Sequence, residues 1–194
     1  EALPMPLYFD PIYTDGISPE ARFPRSRYVL LAERLSKPPF DSIINIKPPE
    51  RISIEDLKRT HCPNYVDRFI TGRLSKQEMR RIGLRPWTDA IIDRTLYLTG
   101  GAACALTDAV SSGGIAGNMA GGTHHAHYDF GSGYCVFNDL AVCAKKAQQD
   151  MGLERILIVD LDVHQGDGTA AMLSSDPKIF TLSIHCGKNF PFRK

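Results

Sequence analysis

One segment, residues 155–161, constrains the fold of this chain more than any other, because it is a run of apolar residues that leads into acidic ones. A continuous hydrophobic run of this length is typical of a central strand in a parallel sheet, which is buried on both faces. Residues 178–184 have the same character, and residues 167–173 between them have the pattern of a short helix. A strand, a helix and a second strand in this order predict an α/β fold with a parallel sheet.

The upstream segments continue this alternation. Strands are predicted at residues 5–9 and 43–46, and helices at residues 26–35, 53–59, 76–81, 89–110 and 137–149. No internal repeat and no Gly- or Ser-rich linker divides the chain, and its 194 residues fit one domain at about 150 residues per domain. Because the first residue is Glu1 rather than Met, we expect the chain to be part of a longer protein.

The composition excludes several classes of protein. Hydrophobic residues make up 43% and charged residues 23%, which argues against a collagen-like or disordered chain. A net charge of +1 gives no reason to expect a nucleic acid or a membrane as partner, and no apolar run of 18 residues or signal-peptide pattern is present. The five cysteines, which are few and scattered and form no C-x-x-C pair, predict free thiols and a cytoplasmic location.

A cluster of acidic residues and a histidine follows the 155–161 segment. In open α/β sheets, ligands bind beyond the carboxyl ends of the strands. Two-residue spacing puts Asp160, Asp162 and His164 on one side of an extended chain. Carboxylate and imidazole together suit zinc and also Fe(II). The alternative, that these acids cap the next helix or face solvent, explains a single Asp better than it explains a cluster that also contains Asp167.

A glycine-rich stretch from residue 113 to 133 carries a second group of candidates. His124 and His125 are adjacent, and imidazoles that titrate near neutral pH can serve as general acids and bases. His127 is interpreted as a neighbour without a role of its own. Gly133 allows backbone to approach a ligand closely, and Tyr134 can form the wall of a narrow apolar slot, although an ordinary loop that enters a helix is the alternative.

Three motifs together resemble those of the zinc-dependent histone deacetylase superfamily: Gly-Gly-x-His-His-Ala, Gly-Tyr-Cys-x-x-Asn-Asp and Asp-Leu-Asp-x-His-Gln-Gly-Asp-Gly. That superfamily also includes acetylpolyamine amidohydrolases and acetoin-utilisation proteins. Gln165, where many members have a second His, is similar to the class IV branch and its bacterial relatives. The resemblance implies the parallel-sheet arginase/deacetylase fold with flanking helices, incomplete in this chain. Residues 1–194 would then be the amino-terminal portion of a single deacetylase domain.

The resemblance also implies roles for individual residues. Asp162 and His164 would be two of three zinc ligands, and the zinc would lower the pKa of bound water and polarise an amide carbonyl. His125 would act as the general base on that water and then protonate the leaving amine. Asp167 would orient His125 through a carboxylate–imidazole hydrogen bond that fixes the tautomer.

Further positions follow from the same resemblance. Asp160 would orient His124, which would assist catalysis electrostatically. Gly133 and Tyr134 would line the tunnel that receives the acylated side chain, and Phe190 would form the opposite wall. Cys135 has no activating partner in the sequence and is interpreted as structural rather than nucleophilic.

A monovalent-cation site behind the zinc is implied as well. Its ligands would be the backbone oxygens of Asp160, Asp162, His164 and Ile184 together with the Ser183 hydroxyl. The resemblance implies potassium as the ion.

Two functional groups of the family have no counterpart in the sequence. The third zinc ligand is an Asp well beyond the second buried strand, and the oxyanion-stabilising Tyr comes later still. Asp176 lies in the loop before that strand, and Tyr134 belongs to the tunnel wall, so neither replaces them. We therefore expect this chain to be inactive by itself and to need a complementing carboxyl-terminal fragment as partner.

The predicted function is the zinc-dependent hydrolysis of an acyl group, most simply acetyl, from a lysine-like amine. An acetylpolyamine or a longer-acyl substrate is an alternative within the same chemistry. A truncated, non-catalytic module that binds acyl-lysine is an alternative from another class. An arginase-type dimanganese hydrolase shares the implied fold but needs more carboxylates facing the metals.

Overall fold

Two small parallel sheets carry the segments that contain the candidate site. The computed structural model describes residues 4–193. In the first sheet, β1 (Met5–Tyr8) lies between β2 (Ile44–Lys47) and β3 (Gly117–Asn118). In the second sheet, β4 (Ile156–Asp160) pairs with β5 (Ile179–Ser183). Every strand pair is parallel, so the predicted α/β class with flanking helices is confirmed.

Residues 4–193 also form eight helices. They are α1 (Ile12–Asp15), α2 (Arg27–Leu35), α3 (Ile54–Thr60), α4 (Pro63–Ile70), α5 (Lys76–Ile82), α6 (Ala90–Ser112), α7 (Asp139–Met151) and α8 (Asp167–Leu173). The sequence pattern did not predict α1, α4 and β3. α1 is a single turn and β3 has two residues, too short for a periodic pattern, whereas α4 begins at a proline, which is also a common break signal. None of these helices is both long and apolar enough to cross a membrane.

The larger hydrophobic core packs helices α3 to α6 around the segment that leads into α7. Phe137 is at its centre, with ring centroids 5.6 Å from Tyr65 and 5.1 Å from Phe69 in edge-to-face geometry. All three side chains are almost fully buried. The core therefore fixes the start of α7, which in turn contacts the histidine loop.

The second sheet is covered on one face only. Ile158 and Ile179 are buried against α7 and α8, whereas Leu157 and Phe180 on the other face are 62% and 67% exposed. Alternate residues of a strand point to opposite faces, so one apolar row packs and the other remains open. The apolar run predicted a strand that is buried on both faces. Within the described chain, the sheet of β4 and β5 is buried on one face.

Candidate functional site

The two adjacent histidines are buried, and each is paired with a carboxylate from the β4–α8 segment. His124 Nδ1 lies 2.5 Å from Asp160 Oδ2, and His125 Nδ1 lies 2.8 Å from Asp167 Oδ1. Burial raises the pKa of the Asp167 carboxyl, but the hydrogen bond and the charge of His125 lower it more, so the pKa is below its ordinary value. Asp167 is therefore an ionised acceptor that holds the His125 ring with Nδ1 protonated.

The amino terminus of α7 holds both ends of the histidine loop. The Asp139 carboxylate accepts hydrogen bonds from the backbone N–H groups of Gly122 and Thr123 and from the Thr123 hydroxyl, at 2.8 to 2.9 Å. On the other side of the histidine pair, the Asn138 side-chain amide donates to the Ala126 carbonyl at 3.1 Å. Two consecutive residues thus fix the backbone before and after His124–His125.

A third histidine, His61, takes part in this arrangement and was missed by the sequence analysis. Its Nδ1 lies 3.0 Å from the His127 carbonyl oxygen, and its Nε2 accepts the backbone N–H of Asn138 at 2.9 Å. Burial lowers the pKa of His61 to about 4, although the carbonyls of His127 and Tyr128 act in the opposite direction. His61 is therefore neutral, with its proton on Nδ1. Because His61 is far from His124 and His125 in the sequence, no local motif links it to them.

The predicted metal ligands lie together at the end of β4. Asp162 Oδ1 is 2.8 Å from His164 Nδ1 and 3.8 Å from His124 Nε2. Burial raises the pKa of the Asp162 carboxyl, but hydrogen bonds from the backbone and ring of His164 and the charge of His124 bring it below its ordinary value. An ionised carboxylate and an imidazole nitrogen that face each other fit two positions of a zinc or Fe(II) site.

This donor set has two members. Within residues 4–193, no group of three or more His, Cys, Asp and Glu side chains is arranged to hold a metal ion. Asp176 makes an ion pair with Lys145 at 2.7 Å and is absent from the lining of the cavity beside Asp162. The donor types of Asp162 and His164 therefore fit zinc or Fe(II). A third donor at least is needed to complete the site.

The three predicted tunnel residues, Gly133, Tyr134 and Phe190, line a cavity of about 1050 Å³ that is also lined by His125. A Cβ atom on Gly133 would lie 2.6 Å from His125 Cδ2 and 3.1 Å from Phe190 Cε1, so only glycine lets the backbone approach this closely. The Phe190 ring crosses the His125 ring edge-to-face at 4.9 Å. Tyr134, at a φ of 68°, packs its ring on Phe23 at 5.5 Å. An apolar wall thus stands beside the imidazole.

Cys135 lies behind this wall. Burial raises the pKa of its thiol to about 12, so the group is a thiol rather than a thiolate at neutral pH. Its Sγ lies 3.4 Å from the Gly133 carbonyl. These contacts agree with the interpretation of Cys135 as a structural residue.

A second cavity, of about 220 Å³, lies behind the Asp160 carboxylate. Asp160, Gln165 and Ser183 are among its lining residues, and Gln165 Oε1 is buried without a hydrogen-bond partner. Carboxylate and amide oxygens carry no proton and suit a hard cation. Asp160 and Gln165 therefore fit part of a potassium site. Of the residues whose oxygens are predicted to bind that ion, Asp160 and Ser183 line this cavity, whereas Asp162, His164 and Ile184 are absent from the lining. The Ile184 backbone N–H donates to the Asp160 carbonyl.

Fold and site together define an α/β protein with two buried, carboxylate-paired imidazoles next to an Asp–His pair at the ends of parallel strands. The histone deacetylase domain family matches residues 21–194. The chain belongs to this family, which confirms the resemblance seen in its motifs.

Three relatives illustrate the match. An uncharacterized protein of Picosynechococcus sp. is 42% identical over 192 residues, which are 97% of this chain and 62% of that protein. The polyamine deacetylase HDAC10 of Mus musculus is 36% identical over 140 residues, 69% of this chain and 21% of that protein. The acetoin utilization protein AcuC of Staphylococcus aureus is 28% identical over 194 residues, 96% of this chain and 50% of that protein. The chain thus spans less than two thirds of the length of each relative.

Proposed function

We propose that the protein hydrolyses an acyl amide, most simply an acetyl amide, on a lysine-like amine. The observation that carries this proposal is the pair of buried imidazoles, each bonded to its own carboxylate, beside an Asp–His pair with metal-ligand chemistry. Two oriented imidazoles suit the movement of protons, for which a module that only binds acyl-lysine has no need. Membership of the deacetylase domain family supports the same class of reaction.

The metal would be held by Asp162 and His164, and zinc or Fe(II) there would polarise the amide carbonyl and activate the attacking water. His125 takes the proton of that water on Nε2, because its Nδ1 is bonded to Asp167. It then gives the proton to the departing amine. His124, whose Nδ1 is bonded to Asp160, lies with its ring 4.1 Å from that of His125 and stabilises the charge that develops.

The walls of the cavity complete the proposed chemistry. Gly133, Phe190 and Tyr134 receive the aliphatic part of the acylated side chain and exclude bulk water from His125. Water exclusion strengthens each electrostatic interaction in the site. Potassium, held by oxygens of Asp160 and Ser183 with Gln165 nearby, would place a fixed positive charge behind the Asp160–His124 pair.

We further propose a complementing polypeptide that supplies the third metal ligand and the oxyanion donor. The exposed apolar row of β4 and β5, which includes Leu157 and Phe180, supports such a partner because it leads directly to Asp162. Loss of an oxyanion donor alone costs about 10²–10³ in rate. The chain without this partner is therefore proposed to be inactive.

Hydrolysis of an acetyl-lysine peptide by the chain together with its complementing polypeptide, with added zinc, tests the proposal. His125→Ala and Asp162→Ala should each abolish turnover and leave the circular dichroism spectrum unchanged. His127→Ala, which also removes an imidazole from the loop, is the matched control and should retain turnover. Full activity of either site variant would refute the mechanism, and peptide binding without any turnover would favour the non-catalytic module.

The acyl and amine specificity is tested separately. Comparison of kcat/KM for an acetyl-lysine peptide, acetylputrescine and a fatty-acyl peptide separates the acetyl-lysine proposal from the polyamine and longer-acyl alternatives. Manganese-dependent release of urea from a guanidino substrate would instead support the arginase-type alternative.

A further inference from the structure

The cavity beside His125 is lined by an excess of positive charge. Its arginines are Arg22, Arg27, Arg81, Arg85 and Arg94. The acidic side chains that line it are Glu20 and Asp162, and the second of these is assigned to the metal. A substrate that enters this cavity therefore meets a cationic surface.

Several basic residues elsewhere in the described chain are neutralised by a carboxylate. Away from the cavity, Arg51 pairs with Asp93, Arg68 with Glu78 and Lys58 with Asp67, at 2.7 to 2.9 Å. Within residues 4–193, none of the cavity arginines makes an ion pair with a carboxylate. The charge of the cavity is thus not neutralised by the part of the protein that the structure describes.

Three of the cavity arginines are instead held by aromatic rings or neutral oxygens. Arg27 and Arg94 both donate to the Tyr28 hydroxyl, at 2.9 and 3.3 Å, and both lie over the Phe23 ring. The guanidinium group of Arg81 lies 4.8 Å from the centre of the Phe130 ring. Such contacts position a guanidinium group and leave its charge intact. All three arginines line the cavity.

We propose that the cavity selects an acyl-lysine that lies in an acidic peptide segment, with carboxylates on either side of the modified residue. This inference rests on the proposed function and names the substrate class of the same site. Unpaired guanidinium groups in a cleft attract carboxylates and repel amines, so a polyamine, which carries additional positive charges, is disfavoured. Arg22, Arg81 and Arg85 are exposed and can reach such flanking carboxylates.

The test compares two acetyl-lysine peptides of equal length, one flanked by glutamates and one by lysines, with acetylputrescine as a third probe. Fluorescence anisotropy measures binding to the intact protein, and kcat/KM is measured in parallel. Three contacts of the exposed ion-pair kind predict a preference of about tenfold for the acidic peptide at low salt. The preference should shrink in about 0.5 M salt, because screening weakens exposed charges.

Charge-reversal variants locate the effect. Arg81→Glu should remove most of the preference, and Arg22→Glu provides an independent variant on another segment. Arg80→Glu is the matched control, because Arg80 is an exposed neighbour on α5 outside the cavity lining and the change in net charge is the same. Equal binding of the two peptides, a preference for the basic peptide or acetylputrescine, or an equal effect of Arg80→Glu would overturn the proposal. Selective binding of the acidic peptide without hydrolysis would instead refute the proposed function alone.

Discussion

The imidazole side of the site and its proposed metal side are held in different ways. His124 and His125 are about 95% buried, and their loop is bonded to the start of α7, which the larger core fixes. Asp162 and His164 are half exposed and follow β4, whose outer face is open. The two imidazoles proposed to transfer protons are therefore preorganised within the described chain, whereas the proposed metal donors follow a strand whose outer face is open.

Removal of the Asp139 carboxylate is the strongest test of the preorganised side. Asp139→Ala removes a buried carboxylate that accepts three hydrogen bonds, from the backbone N–H groups of Gly122 and Thr123 and from the Thr123 hydroxyl, each worth about 1 kcal/mol. We expect the free energy of unfolding to fall by about 3 kcal/mol in urea denaturation. Asp139→Asn, which keeps the shape and part of the acceptor capacity, should lose less. A change below about 0.5 kcal/mol for Asp139→Ala would show that the loop is held by other contacts.

The hydrogen bond between Asp167 and His125 is the next contact to test. Asp167→Asn keeps the shape of the side chain but replaces an ionised acceptor with an amide, so His125 loses its fixed tautomer. We expect kcat for the acetyl-lysine peptide to fall by about 10²-fold, within the range typical of general-base catalysis. Zinc content, measured by atomic absorption, should stay unchanged, because Asp167 is outside the metal pair. A parallel loss of zinc would indicate that Asp167 also affects metal binding.

The sequence predicted the two halves of the site unequally. The α/β class followed from local periodicity, and the motif residues that follow β4 were found because they are close together in the chain. The bracing of the loop by His61 and Asp139 is a matter of tertiary contacts between residues far apart in sequence, which no spacing rule reveals. The open face of β4 and β5 was also hidden, because an apolar run reads the same whether one face or two are covered.

The buried His61 makes the imidazole side sensitive to pH. Its pKa of about 4 in the folded chain lies below the ordinary value of 6.5, so between these values the unfolded chain binds the additional proton. The contribution of His61 to the free energy of unfolding is therefore fully present above pH 6.5 and is lost as the pH falls towards 4. At pH 5 the loss from this group is about 2 kcal/mol. Urea denaturation across this range measures the slope, and His61→Gln should reduce it. An identical slope in the variant would assign the pH dependence to other groups.

The smallest effect is expected on the open side, at Val159 on the exposed face of β4. Val159 is 50% exposed and its neighbour Ile158 is 8% exposed on the opposite face, so the two residues form a matched pair on one strand. Val159→Ala should change the free energy of unfolding by less than about 0.5 kcal/mol, whereas Ile158→Ala should cost about 2–4 kcal/mol because it leaves a cavity beneath α7 and α8. Equal losses for the two variants in urea denaturation would mean that the outer face is covered in solution. The same measurement with a complementing polypeptide present should increase the cost of Val159→Ala alone, because that residue then becomes buried while Ile158 already is.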